Sequence, residues 1–267
     1  MGADIKKLRN RIKSVDSTLH LTKAMGLVAS SKMRRANEAM LRGREYEKAI
    51  LQAIAPLINS EECKQSPYMK QNPEGKTCLV VIAGDRGLAG GYNANIFRAM
   101  REYSDAEIIP VGKRACDRFK GELRYAEKFT YGEAQEISAE LCRRFAKGEL
   151  ARVGILYTKY VSMLTQEAQV RWLLPLSAEE NASVVSPVFE PDELTVLNAA
   201  VPEYVAGVLV SAARESFASE VAARRCAMDS AGKNAQTMID GLQLEYNRAR
   251  QGAITQEITE IVAGSGK

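Results

Sequence analysis

From Ile5 onward, apolar residues recur at alternating steps of four and three: Ile5, Leu8, Ile12, Val15 and Leu19. That spacing is a coiled-coil seam. No proline precedes Pro56, so the pattern predicts one helix over residues 3–55, a rod of about 75–80 Å. The seam then thins to Met25, Val28, Ala29, Met33, Ala36 and Met40. Gly26 and Gly43 interrupt it. Each costs about 1 kcal/mol relative to Ala, so packing has to hold the helix there.

The far end of the chain has the same slim character. No proline follows Pro202, and good helix formers dominate from Glu203 to Gly264. One helix over that stretch would be roughly 90 Å long, against about 11–12 residues for an ordinary helix. Its stripe starts as Val205, Leu209, Ala212, Phe217 and Val221, and ends as Met238, Leu242, Ile254, Ile258 and Ile261. Residues 211–235 contain eight alanines, which lets a second helix approach closely.

Between the rods the period changes. Residues 56–76 read as a linker, with Pro56, Pro67 and Pro73. Thr77–Ala83 is a continuous apolar run of buried-strand length, followed by a glycine-rich turn, Gly84–Asn93, and a helix near Ala94–Tyr103. Strands are predicted at Glu107–Val111, Val153–Tyr157 and Val170–Leu174, with helices at Lys113–Phe119 and Ile137–Lys147. This is an α/β pattern with a mostly parallel core. Residues 175–202, with Pro175, Pro187, Pro191 and Pro202, lead out of it.

The predicted fold is therefore a long antiparallel coiled coil of N- and C-terminal helices plus a central Rossmann-like α/β domain. The expected division is 1–56 (N-terminal coiled-coil helix), 57–76 (linker), 77–202 (central α/β domain) and 203–267 (C-terminal coiled-coil helix). A domain of about 120 residues has a radius of gyration near 14 Å. The rods must outreach it, and an exposed seam of that length calls for a partner.

Charge gives the first hint of that partner. Residues 1–48 carry twelve Lys/Arg against five Asp/Glu, a net of +7, while the whole chain of 267 residues is only +4. An acidic partner is expected there, and charge alone weighs nucleic acid and an acidic protein surface equally. Tyr46 is the only aromatic in that helix, which gives a nucleic-acid reader little to stack with. The five cysteines (63, 78, 116, 142, 226) are odd in number and widely spaced, as for reduced structural thiols. The single histidine, His20, makes a His-based metal site or triad implausible, and no cofactor is expected. The strongly apolar runs Cys78–Ala83 and Val205–Ala213 fall short of the roughly 20 residues of a bilayer span. The N-terminus lacks signal- and transit-peptide character, so a cytosolic location is expected.

The turn Gly84-x-x-Gly87-x-x-Gly90-Gly91 follows a strand but does not match G-x-G-x-x-G, and Gly75–Lys76–Thr77 lacks the upstream glycine of a P-loop. A tight turn packed on a neighbour is the favoured reading over a nucleotide cradle, with Asp85 and Arg86 pairing on the surface. The carboxylate pairs Glu61–Glu62, Glu179–Glu180 and Glu257 with Glu260 have no His, Cys or metal-like company. They read as solvated faces.

Three blocks carry a family resemblance: Leu21–Met25 with Val28–Arg34, Asp85–Asn93, and Tyr246–Ile261. In this order they resemble the gamma subunit of bacterial F-type ATP synthases, and the likeness spans the chain. Departures are mild: His20 and Leu21 stand where Lys and Ile are common, Ala89 where Cys is frequent and Tyr92 where Leu is. The cysteine-bearing regulatory insertion of chloroplast forms is missing.

The resemblance implies a non-catalytic central rotor shaft that couples ion-driven rotation of the membrane c-ring to ATP synthesis or hydrolysis in the alpha/beta hexamer. Its implied partners are the alpha and beta subunits, the epsilon subunit and the c-ring, with no nucleic acid. Its implied place is the cytoplasmic face of the bacterial plasma membrane, peripheral and held only through the complex. By position, it implies that Lys23, Met25, Arg34, Arg35, Arg224, Arg250, Gln251, Thr255 and Glu257 meet the beta catch loops or support that region. The alternatives are a basic coiled-coil nucleic-acid-binding protein and a nucleotide-using α/β enzyme.

Overall fold

The computed structural model describes residues 2–177 and 188–264, with side chains from residue 4. In chain order the elements are α1 (Gly2–Ile58), β1 (Lys76–Ile82), α2 (Tyr92–Ala99), β2 (Glu107–Val111), α3 (Lys113–Phe119), α4 (Tyr131–Ala146), β3 (Leu150–Tyr160), β4 (Gln166–Leu174) and α5 (Glu193–Gly264). Short 3-10 turns lie at Glu62–Gln65, Pro67–Met69 and Met100–Tyr103. The chain divides into two compact units, Met1–Ser30 with Arg224–Lys267, and Ser31–Ala223.

The larger unit holds a four-stranded sheet in the order β2-β1-β3-β4. β1 pairs in parallel with both β2 and β3, and β4 closes the sheet antiparallel to β3. The unbroken apolar run of β1 follows from burial on both faces. Cys78, Val80 and Ile82 join the core with α4, α5 and the end of α1, while Leu79 and Val81 face Ile96 of α2 and Ala115 of α3. Pro110 sits in β2, an edge strand, where a missing N–H is tolerated.

Two helices start six or more residues earlier than their periodicity predicts, each because a cap lies upstream. α4 opens with Thr130, whose hydroxyl accepts from Glu133 N–H at 3.2 Å while Glu133 Oε2 accepts from Thr130 N–H at 2.8 Å, a capping box. α5 opens at Glu193, ten residues before the predicted start, because Asp192 accepts from Thr195 N–H at 2.7 Å and from its hydroxyl at 2.8 Å. Those bonds hold the Asp192 carboxyl below its usual range. Pro202 lies inside α5, and its carbonyl accepts from the Ser138 hydroxyl at 2.6 Å. The α5 stretch that by length and composition could cross a membrane is 67% buried, so its apolarity serves the core.

In this unit α1 also packs on α5 through small residues. A Cβ on Gly43 would lie 3.2 Å from Ser211 Oγ and 3.3 Å from its Cα. Ala36, Met40 and Ala218 form a small cluster beside it.

The smaller unit is a pair of helices. Leu19, Ala235 and Ile239 form its buried cluster, with Val15 against it. Gly26 faces Met228 and Gly232 faces Thr22. As the number rises on one helix it falls on the other, so the pair is antiparallel. The seam steps by three and four through Leu19, Thr22 and Gly26 on one side, and through Met228, Gly232, Ala235 and Ile239 on the other.

The predicted seam needs three corrections. Val28 is 56% exposed and Met238 47%, while Thr22 and Ile239 are buried in their stead. Small residues shift the contact line around each helix. Ile254, Ile258 and Ile261 are exposed rather than seam residues. The residue numbers of facing positions add to 254 at Gly26–Met228 and at Thr22–Gly232. Gly2, where α1 begins, therefore falls opposite Gly252, and α5 outruns its partner.

Candidate functional site

The glycine turn is the first place to test for a ligand. It leaves the C-terminal end of β1, beside β3, at the switch point where open α/β sheets bind ligands. Here α5 fills that crevice. A Cβ on Gly84 would lie 2.9 Å from Glu220 Cδ. The Tyr92 hydroxyl donates to Ser216 C=O at 3.1 Å, and burial pushes its pKa up. Gly84 N–H donates to Asn93 Oδ1 at 2.8 Å, folding the turn on itself.

Asp85 is a correction. Instead of pairing with Arg86, it accepts from the backbone N–H groups of Lys113 (3.0 Å), Ala126 (3.0 Å) and Glu127 (2.9 Å), tying the turn to α3 and the loop after it. These partners are far off in sequence, and a lone Asp after a strand gives no sign of them. The turn is a packing device, as its spacing favoured.

The other candidate chemistry is structural too. Burial pushes the Cys78 thiol up to about 12 and the Cys142 thiol up to about 11, which leaves both protonated and unreactive near neutrality. His20 is a surface residue 3.7 Å from Asp16 on the same helix. Among the described residues no His, Cys, Asp and Glu group could hold a metal ion. Glu61 bonds Lys64, and Glu260 accepts from Gln256 at 2.9 Å, while Glu179–Glu180 lies outside the described residues.

The predicted contact residues fall into separate groups. In the helical pair, Lys23 is exposed and Met25 and Arg224 half-buried. They lie near a groove of about 580 Å³, floored by Leu19, Gly26, Met228 and Gly232. Lys23, Arg225 and Lys233 line it against one acid, Asp229, which pairs with Lys233 at 2.9 Å. Leu27 on its margin is 72% exposed. The groove exists because two glycines leave no side chains to fill it.

Arg250, Gln251, Thr255 and Glu257 form a second group on α5, all exposed. Helical spacing puts Arg250, Ile254, Glu257 and Ile261 on one stripe, and Gln251, Thr255, Ile258 and Val262 on the next. Along the helix, Gln251 is about 40 Å from Arg224, so the structure does not bring the two groups together. Arg34 and Arg35 are exposed on α1 within the larger unit. Beside them Lys32 pairs with Glu127.

The family model described as ATP synthase matches residues 4–266. Two similar proteins are the sodium-ion-specific ATP synthase gamma chain of Acetobacterium woodii, 38% identical and covering 99% of each chain, and the ATP synthase gamma chain of Ruminococcus albus, 40% identical and covering 98% of each. The fold is similar to a chain of the Euglena gracilis mitochondrial ATP synthase OSCP/F1/c-ring structure, with a TM-score of 0.73 at 19% identity over 99% of this chain and 94% of that one. It is also similar to one from the Tetrahymena thermophila central stalk and c-ring, with a TM-score of 0.63 at 22% identity over 79% of this chain and 99% of that one. A match along nearly the whole sequence, at these identities to bacterial gamma chains, shows that this chain belongs to the ATP synthase gamma chain family.

Proposed function

We propose that this chain is the central rotor shaft of a bacterial F-type ATP synthase, itself non-catalytic, which couples rotation of an ion-driven c-ring to ATP synthesis or hydrolysis in the alpha/beta hexamer. It works at the cytoplasmic face of the plasma membrane, peripherally, with epsilon beside it at the foot. Residues 1–56 and 203–267 are the shaft, 77–202 the foot, and 57–76 the linker between them.

One observation carries this reading. Past Leu242 no described residue of α5 is buried, and Ile254, Ile258, Ile261 and Val262 are 47–69% exposed. Spaced by three, four and eight, they share one face of the helix, and an apolar face left open in this way calls for a partner surface. A sleeve formed by the hexamer meets that need and, being non-directional, holds the tip without locking it.

Individual side chains give the angular dependence. Lys23, Met25 and Arg224 in the helical pair, Arg34 and Arg35 in the larger unit, and Arg250, Gln251, Thr255 and Glu257 farther along α5 meet the beta catch loops or support that region. The shaft must bind each beta conformation differently, or turning it would shift no nucleotide affinity. The basic groove attracts an acidic loop, and screening beyond about 8 Å keeps that attraction smooth.

The test is single-molecule rotation of the reconstituted complex, with the hexamer immobilised and a probe on the α/β domain. Stepwise rotation driven by ATP is expected. A chain that stays apart from alpha and beta subunits on co-purification would overturn the reading.

A further inference from the structure

β3 runs on past the end of β1. Their pairing stops at Val81 with Leu156 and β1 ends at Ile82, but β3 continues to Tyr160. Backbone groups of β3 beyond that point need partners other than a neighbouring strand on the β1 side. α5 supplies them. Thr158 N–H donates to Ser216 Oγ at 3.1 Å, the Ser219 hydroxyl donates to Thr158 C=O at 3.1 Å, and Tyr160 N–H donates to Glu215 Oε1 at 3.0 Å. Arg44 of α1 completes the set, its Nη2 donating to Glu215 Oε1 at 2.6 Å and to Tyr160 C=O at 2.8 Å.

This row is buried: Ser216 and Ser219 are 0% exposed and Glu215 6%. Around it α5 packs through small side chains such as Ala213, Ala218 and Ala222. Contacts of that kind are non-directional and tolerate a small slide or turn. Hydrogen bonds weaken steeply with misalignment, and at Ser216 and Ser219, both 0% exposed, solvent has no access to replace them.

We propose that Glu215, Ser216 and Ser219 are positioning residues that form a polar lock, preventing α5 from turning or sliding on the sheet under load. Torque passes between the α/β domain and the helix through this row, while the apolar face supplies adhesion. The proposal rests on the rotor reading above.

The test uses the complete ATP synthase complex, with the hexamer immobilised, the beta sites held in one state, and a probe on the α/β domain. The Ser216→Ala/Ser219→Ala double variant is expected to show severalfold larger angular fluctuation, with unloaded ATP hydrolysis at the wild-type rate. Val208→Ala, in the same core, lowers stability without touching the lock and should leave the fluctuation at the wild-type value. If the serine variant fluctuates like wild type, or Val208→Ala loosens the shaft as much, the lock is overturned. Should the double variant fail to assemble, Glu215→Gln is read the same way, since it keeps an acceptor for Tyr160 but loses the charge facing Arg44. A wild-type complex that does not rotate would instead remove the rotor reading.

Discussion

Gly43 illustrates how much depends on a missing methyl group. In an open helix, Gly→Ala is favourable by about 1 kcal/mol. At this position the new Cβ would press on the Ser211 backbone at 3.3 Å, and overpacking of that kind costs about 1–3 kcal/mol. Gly43→Ala should therefore lower the thermal midpoint of the purified chain; a higher midpoint would mean the helices separate freely there. Glu107 and Arg144 make a second case. The guanidinium donates to both carboxylate oxygens, at 2.6 and 2.8 Å, and these hydrogen bonds hold the Glu107 pKa below its usual range. A depressed carboxylate contributes stability that is present above its unfolded pKa of about 4.3 and lost as pH falls through the folded value. The stability gap between wild type and Glu107→Gln should be full at neutral pH and shrink on acidification below about pH 4.3, as read from midpoints across that range. A gap that stays constant with pH would exclude the pair as its source. At the functional level, Gln251→Leu or Arg250→Ala should weaken both ATP synthesis and coupled hydrolysis while the complex still assembles. Wild-type rates in purified complexes would remove those residues from the site.

At the scale of elements, the lesson concerns where helices begin. The apolar period of α4 becomes clear only at Ile137, but the helix starts six residues earlier because Thr130 and Glu133 close a capping box. Losing such a cap costs about 1 kcal/mol. Thr130→Ala should lower the midpoint accordingly and Thr130→Ser should restore most of it, which differential scanning calorimetry can resolve. Periodicity alone starts both helices late, because Thr130 and Asp192 act through hydrogen bonds to the residue three places on, which the apolar pattern does not record. The strands behaved differently. β1 was legible almost residue for residue because burial on both faces leaves no polar position in its core, whereas β3 and β4 extend beyond their apolar centres into Lys159, Tyr160, Gln166 and Glu167. Those ends are held by pairing with each other, register by register, which no local pattern records.

At the scale of the molecule, the exposed tip of α5 and the buried polar row of the same helix do opposite jobs. Ile254, Ile258 and Ile261 are 47–69% exposed among the described residues. Replacing all three with Ser should make the isolated chain more soluble and weaken its incorporation into the hexamer, measured by sedimentation and by competition with wild type during reconstitution. Unchanged incorporation would mean the tip is not gripped. The candidate contact residues were legible only through resemblance, because an exposed Arg or Gln on a helix looks the same whether it meets a partner or water. The polar row was not legible at all. Glu215, Ser216, Ser219 and Glu220 sit in an alanine-rich helix and read locally as its wet side.

The sequence by itself determined that two long helices flank an α/β domain and that the seam between those helices is slim. Period, length and spacing are local quantities, and local quantities survive without coordinates. Tertiary structure alone decided which residues of the slim seam touch, that α1 ends its pairing near Gly252 of α5, and that α5 occupies the crevice where a ligand would otherwise sit. Each of these depends on groups far apart in the chain meeting at a few ångströms, and on backbone polar groups that must find partners once water is gone. The pattern along one helix says which face is apolar; it does not say which polar residue a strand end on another element will require.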